Sequence, residues 1–439
     1  MSNHLIQAGD NPDLTKERKA ATFNTDELCA FVHGSKEHVE RRREISKRVA
    51  SDPDLCNPTA LEFLSRENRF EQQAKKTRML MSKVHDLVDV TNRDEMSHLS
   101  NEVFGIEGFP LALHFMAFVP VIQGQGDADM VEEILPRALS LQIIGAYSQT
   151  EMGHGSNLRE LETTATYDRN TEEFVMHTPT RSAVKWWPGN LGKIATYTTV
   201  TAQLIIDGKN YGPHNFLVQT RSEVDHKPLP GITVGDIGSK MAINGVDNGF
   251  LGMDHVRIPR KWMLMKHSKV APDGTYTPPI HSKLSYGSMV YIRAQMISLL
   301  ANSLSTAVTV AVRYSAVRRQ GRIENDRPEV QVLDYQTQQY RLFPQIALAY
   351  AYIFTGLEVK KLYQEAMEEL DKGETDLLPD LHAITSGLKS VVSFGSGNAA
   401  EQCRMACGGH GFSEASGLPK LYGTIIAGCT YEGENMVML

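Results

Sequence analysis

Hydrophobic and polar positions give the chain three textures. Up to about residue 144 the pattern is helical. Lys36 to Ala50 and Ala60 to Val90 are rich in Glu, Lys, Arg, Leu and Met, which lose little rotamer freedom in a helix. Leu61, Phe63 and Leu64 recur near helical spacing. Breaks are expected at Asp52-Pro53 and Asn57-Pro58, because proline drives the preceding residue out of the helical region. From about 145 the texture changes. Thr163 to Tyr167, Phe174 to Met176, Ala195 to Ile206 and Phe216 to Val218 are β-branched and aromatic runs. The turn formers Asp168-Arg169-Asn170 and Asp207-Gly208 punctuate them. Short strands with no helices between them predict an antiparallel barrel or sandwich and argue against a Rossmann sheet. Beyond about 276 the helical pattern returns. Met296, Leu300, Leu304, Val308 and Ala311 form one stripe, and further helices are expected over 336–367 and 381–405. The predicted fold is α+β: an N-terminal helical domain (1–144), a middle antiparallel β-barrel or sandwich domain (145–275) and a C-terminal helical bundle (276–439).

Composition narrows the function classes. The hydrophobic fraction of 41% over 439 residues suits a large buried core. The 45 basic and 52 acidic residues leave a net charge of −7, without the basic surface that nucleic-acid binding requires. The most apolar unbroken run, Leu111 to Ile122, is 12 residues long and includes His114 and Pro120. A span needs about 20, so no membrane crossing is expected. The N-terminus carries no apolar secretory core. Cys29, Cys56, Cys403, Cys407 and Cys429 are odd in number and scattered, which fits a reducing compartment. The basic block Arg41 to Arg48 is interrupted by Glu44 and reads as a solvated helix face rather than a phosphate patch.

Five segments carry candidate chemistry. Tyr147 to Asn157 combines glycines and hydroxyls in a loop that can cradle an anion or serve as a plain turn, and it lacks the Gly-Lys-Ser/Thr of a Walker loop. Lys185 to Gly192 places Trp186 beside Trp187. In a strand such neighbours face opposite sides, so one can enter the core while the other lines a site. Arg318-Arg319, followed by Gln336, Gln338 and Gln339, can grip phosphates or be salt-bridged on the surface. Cys403, Cys407 and His410 lack the paired spacing and fourth ligand of a zinc site, so no metal is expected, and Gly408-Gly409 reads as a tight turn. Near the end, Glu432 and Glu434 flank Gly433. A carboxylate in an apolar setting can act as a general base, and spacing alone does not choose between them.

Taken together, QTEMGHGSN, KWWPGNLGK, RYSAVRRQ, LDYQTQQYRLFP, CRMACGGHGFS and CTYEGEN resemble the peroxisomal acyl-CoA oxidase family of the acyl-CoA dehydrogenase superfamily, over nearly the whole chain. The resemblance implies FAD as cofactor and α,β-dehydrogenation of a fatty acyl-CoA to the trans-2-enoyl-CoA, with O2 reduced to hydrogen peroxide. It implies Glu432 as the base. It assigns FAD contacts to Thr150, Ser156, Asn157, Trp187, Gly189, Arg318, Gln336, Gln338, Gln339, Gly408 and Gly409. It assigns acyl-CoA contacts to Lys283, Leu284, Ser285, Tyr286, Gly287, Arg293 and Gly433. A homodimer, or a heterodimer with a paralogue, and a peroxisomal location are also implied. Family members run further and often end in a Ser-Lys-Leu-type signal, whereas this sequence stops at Leu439, so a short isoform or truncated product is an expectation. Two alternatives stay open: a non-catalytic short partner of a full-length oxidase, and an acyl-CoA dehydrogenase.

Overall fold

Side-chain caps start the N-terminal helices where the sequence offers an oxygen to the first free N–H groups. Ser35 accepts from His38, Ser65 from Asn68, Asn92 from Asp94 and Glu95, and Asp127 from Met130. A computed structural model describes residues 6–56, 61–279, 287–325 and 327–438. Its first layer comprises α1 (Pro12–Lys19), α2 (Thr25–Val32), α3 (Lys36–Ser51), α4 (Arg66–Leu87), α5 (Arg93–Phe104), α6 (Val119–Gln125) and α7 (Ala128–Leu139). Ile45 and Val49 of α3, Leu80 and Val84 of α4, and Leu99 and Val103 of α5 share one core. The helix α3 stops at Ser51, before Pro53, as expected. The Asn57-Pro58 break lies outside the described residues. Along the basic block, Arg41 pairs with Glu95 (2.8 Å) and Glu44 (2.9 Å), and Arg48 pairs with Glu44 (2.7 Å). That is a salt-bridged helix face.

The middle layer holds β1 (Gly145–Ser148), β2 (Thr164–Asp168), β3 (Glu173–His177), β4 (Lys185–Gly189), β5 (Tyr197–Ile206), β6 (Lys209–Gln219), β7 (Ile232–Asp236), β8 (Asn248–Met253), β9 (Val256–Pro259), β10 (Lys269–Val270) and β11 (Tyr276–Thr277). One sheet centres on β5, with β6 along one edge and β1 and β2 sharing the other; β3 and β9 follow β2. A second sheet runs β4-β8-β7. Phe174, Met176, Val200 and Ala202 of the first pack with Ile232, Leu251 and Met253 of the second in one core. The expectation of a purely antiparallel layer is corrected: β1 and β2 both run parallel to β5. Strand period and turn residues mark where strands lie but carry no information on pairing direction. The Asp207-Gly208 turn appears as read. Both residues have positive φ (51° and 78°), the backbone of a two-residue hairpin whose twist matches its strands.

The third layer contains α8 (Gly287–Val317), α9 (Gln336–Asp371), α10 (Leu377–Ala406), α11 (Gly408–Phe412), α12 (Leu418–Ala427) and α13 (Asn435–Met438). The Met296 to Ala311 stripe is buried against α9 and α10. Two helical stretches, Val290–Val317 and Gln336–Leu370, are long and apolar enough by length and composition to cross a membrane, which inspection of Leu111 to Ile122 alone did not register. They pack against each other and against α10, with 44% and 22% of their most apolar windows buried.

One buried histidine joins the first two layers. A π-helical turn at His114–Phe118 precedes α6. His114 is fully buried, and its Nδ1 accepts from the Gly145 N–H at 2.9 Å. The proton therefore sits on Nε2, which donates to the Ala138 carbonyl at 3.0 Å. Burial pushes its pKa down to about 4. In the unfolded chain a histidine titrates near 6.5, so between about pH 6.5 and 4 the unfolded state binds the extra proton. Stability from this site is thus complete above that window and lost as pH falls through it, on the order of 3 kcal/mol in all. Urea unfolding at pH 7 and pH 4.5 should show the loss, and His114→Gln should flatten that part of the slope. An unchanged slope in the variant contradicts the assignment.

Candidate active site

The first two candidate segments meet through a buried ion pair. The Trp186 N–H donates to the Thr150 carbonyl (3.0 Å), the Met152 N–H to Val184 (2.9 Å) and the Gly153 N–H to Ser182 (2.9 Å). Beneath them Lys185 Nζ donates to Glu151 Oε1 at 3.0 Å, to the Gln149 carbonyl at 3.0 Å and to the Thr201 carbonyl at 2.7 Å. Both side chains are completely buried. Burial pushes the Glu151 carboxyl up, but the Lys185 ammonium, the Glu162 and Thr163 N–H groups and the Thr163 hydroxyl outweigh it and hold the carboxyl below its usual range. The pair is ionised, with every charge matched.

This clamp presents the loop and the tryptophans. Thr150 is half-buried, while Ser156 and Asn157 lie exposed further along the loop. Trp186 stacks on Phe250 with centroids 5.6 Å apart. Trp187 takes the opposite role: its φ is 86° and its side chain is 54% exposed. The strand register shifts between Trp186 and Gly189, and that irregularity turns Trp187 outward. Gly189 is small for a different reason than ligand approach, since a Cβ there would come 2.2 Å from Leu113. The segment after it is held from both sides. Arg221 donates to the carbonyls of Leu191 (3.0 Å), Gly192 (2.9 Å) and Ala195 (2.7 Å), and Asp247 accepts from the Lys193 N–H at 2.6 Å. Asn190, at φ 69°, keeps both side-chain amide atoms buried without partners.

In the third layer a cavity collects Arg318, Gly408 and Gly409 with Tyr314, Gln320, Val332 and His410. A Cβ on either glycine would meet nothing within 4 Å, so the backbone there is open to a ligand. Gly408 has φ 59°, where a side chain is disfavoured. Gln338 sits apart from such a role, because its buried amide donates to Ser315 Oγ and the Ala406 carbonyl, both at 2.9 Å. Gln339 donates to the Leu333 carbonyl at 3.0 Å, and Gln336 is exposed at the start of α9. Burial pushes the Cys403 thiol up to about 12 and Cys407 up to about 11, which keeps both protonated.

The segment between α12 and α13 separates the two acidic residues that spacing left equivalent. Glu434 is engaged as a cap, accepting from the Met436 N–H at 2.9 Å. Glu432 has φ 59° and Gly433 φ 102°, and the Glu432 Oε2 atom is buried without a hydrogen-bond partner. Burial pushes the Glu432 carboxyl up, opposed by the positive charges of Arg293 and Lys389. A carboxylate so raised, with a free oxygen, is built to take a proton. Gly433 suits its φ of 102°, a backbone that side chains rarely adopt. Arg293 holds this turn from below, its Nε donating to the Glu432 carbonyl at 3.0 Å and its Nη1 to Ser386 at 3.2 Å. Gly287 opens α8, and Lys283, Leu284, Ser285 and Tyr286 lie outside the described residues. Sequence reasoning missed Glu151, Lys185, Arg221, Asp247, Lys389 and Asn435. The one available signal was Lys389, the single Asp, Glu, Lys or Arg between Asp380 and Glu401.

Comparison with known proteins finds matches over both helical regions and over the whole chain. Residues 24–144 match the family model for the acyl-coenzyme A oxidase N-terminal region, and residues 286–439 match that for the acyl-CoA oxidase C-alpha1 domain. The chain is 54% identical to acyl-coenzyme A oxidase acox-1.1 of Caenorhabditis elegans over 437 residues, covering 100% of this chain and 65% of that protein. It is 49% identical to peroxisomal acyl-coenzyme A oxidase 1 of Bos taurus, covering 98% and 65%. The crystal structure of Caenorhabditis elegans acyl-CoA oxidase-2, bound with FAD, ascaroside-CoA and ATP, superposes with a TM-score of 0.97 at 52% identity, covering 99% of this chain and 66% of that one. The chain thus spans slightly under two thirds of these relatives' length.

The ion pair beneath the loop yields a direct test. Lys185→Met should destabilise the protein by about 3–5 kcal/mol, because it leaves the Glu151 charge buried and alone. Replacing both partners, Lys185→Met with Glu151→Leu, should recover most of that loss. Urea denaturation midpoints decide it: equal losses in the single and double variants would show that the pair is not the clamp.

Proposed function

The chain belongs to the acyl-CoA oxidase family, and from that premise we propose that it catalyses FAD-dependent α,β-dehydrogenation of a fatty acyl-CoA to the trans-2-enoyl-CoA, with O2 reduced to H2O2. The observation that carries this reading is Glu432: a carboxylate raised by burial, with an unpartnered oxygen, followed by a glycine whose positive φ disfavours any side chain. The α-proton of a thioester is weakly acidic. A base in a water-poor site removes it once donors stabilise the developing enolate. Glu432 takes that proton.

The chain's residues fit FAD. The outward Trp187 offers a flat face to a ring system, Asn190 keeps a buried amide free, and Arg318 with the open Gly408-Gly409 backbone suits a diphosphate. When bound, FAD supplies acceptance of the hydride from the β-carbon and delivery of two electrons to O2. Thr150, Ser156 and Asn157, on the clamped loop, would contact the cofactor, and Gly433 would adjoin the thioester beside the base. The structure bound with ascaroside-CoA supports a CoA thioester as substrate class. The name of the bovine relative supports a peroxisomal location, and assembly as a homodimer or with a paralogue is part of the same reading.

Purified protein should be yellow, and anaerobic addition of a fatty acyl-CoA should bleach the visible band. Glu432→Gln should keep the colour and slow bleaching by at least about 10³-fold. Because burial raises the Glu432 carboxyl, the acid limb of the kcat/KM profile should lie above the ordinary carboxylate range, with activity gained as pH rises through it. A colourless protein, or a Glu432→Gln variant that bleaches normally, overturns the proposal.

A further inference from the structure

The turn bearing Glu432 is gripped by a lysine that no motif pointed to. Lys389 lies in the middle of α10 and is completely buried. Its ammonium donates to the Gly433 carbonyl and to Asn435 Oδ1, the latter at 2.9 Å. Asn435 is buried in turn, and its Nδ2 donates to Ser393 Oγ at 2.9 Å and the Ser390 carbonyl at 3.2 Å. Among the described residues no carboxylate lies within ion-pair distance of Lys389. A buried ammonium on two neutral acceptors is costly unless a negative charge at longer range compensates it. The charges felt by Lys389 include Glu432 and Glu434 on the gripped segment.

Resting on the reading of Glu432 as the base, we propose that Lys389, with Asn435 as its relay to α10, is a positioning residue that holds the Glu432–Gly433 turn in its left-handed backbone and keeps the Glu432 carboxylate ionised for proton abstraction. Two things support the division of labour. Both residues of the turn have positive φ, 59° and 102°, and the non-glycine member needs outside restraint to stay there. Arg293 from α8 holds the Glu432 carbonyl and Lys389 from α10 the next one, so consecutive carbonyls are fixed from two helices. The charged and titratable groups acting on Glu432 are Arg293 of α8 and Lys389 of α10, with Tyr431 beside it; Cys429 and Glu434 of the same segment act on Lys389. Of these, only Lys389 and Arg293 favour the ionised carboxylate, and only Lys389 also reaches Asn435.

The test uses the yellow protein with a fatty acyl-CoA and separates kcat, KM and the pH profile. Lys389→Met, with flavin retained, should lower kcat at least about tenfold while KM stays within a few-fold, since a displaced base costs the chemical step rather than binding. The acid limb should move up by about one pH unit, because a cation near the carboxylate is gone. Where Lys389→Met loses its flavin or fails to fold, Asn435→Ala decides: it keeps the ammonium and should lower kcat with KM and the acid limb unmoved. Unchanged kcat and pH profile in the folded lysine variant, unchanged kcat in Asn435→Ala when that variant decides, or a parallel loss of binding and turnover would overturn the proposal. Full activity in Glu432→Gln would instead refute the underlying reading, whatever the lysine variants do.

Discussion

Charge taken out of water must be matched, and that constraint organises both halves of this site. Lys185 and Lys389 are both completely buried. Lys185 meets its requirement locally, with a carboxylate and two carbonyls in contact. Meeting it drags Gln149, Glu151 and Thr201 to one point, so the loop that starts at Tyr147 is fixed against the strand that carries the tryptophans. Neither segment could slip without stranding an ion. The geometry of Trp187, Thr150 and the loop beyond is thus a consequence of one buried pair of side chains.

The second lysine works at the other end under a different arrangement. Its acceptors are neutral, so the compensating charge is spread over the segment it grips. The layers between the two are tied by similar means. Lys420 on α12 reaches Glu62 at 2.7 Å and also Glu107, linking the helix before the Glu432 turn to the N-terminal layer. His114 links that layer to β1. Polar groups buried with partners define one register in places where apolar contacts alone would tolerate several.

Much of this fold is legible in the sequence, and the reason is local. Propensity and proline placed α3 to within a residue, the stripe from Met296 to Ala311 marked the buried face of α8, and Asp207-Gly208 marked a hairpin. Pairing direction was not legible, because β1 and β2 run parallel to β5 through connections whose course no local pattern encodes. In the site, the residues with unusual backbone were readable as motifs: Trp187, Gly408, Gly433. The residues that hold them were not. Lys185 and Arg221 have the same composition and spacing as surface cations, and only burial reveals their work. Gln338 shows the converse, since a polar residue beside candidate phosphate contacts turned out to brace α8, α9 and α10.

The choice between the two acidic residues shows how the surroundings assign a role. A base must be ionised when substrate arrives and must gain basicity when water leaves. Burial alone supplies the second and defeats the first, since a desolvated carboxylate takes up a proton before it is needed. Cations alone supply the first and defeat the second, since a tightly paired carboxylate is a poor base. At Glu432 the two cations sit against the backbone carbonyls of the turn, while the carboxylate oxygen Oε2 stays unbonded. Their fields therefore favour ionisation without occupying the atom that, in the proposed reaction, accepts the proton. Glu434, two residues on, has its carboxylate engaged by the Met436 N–H, so in the proposed reaction the acceptor's part falls to its neighbour.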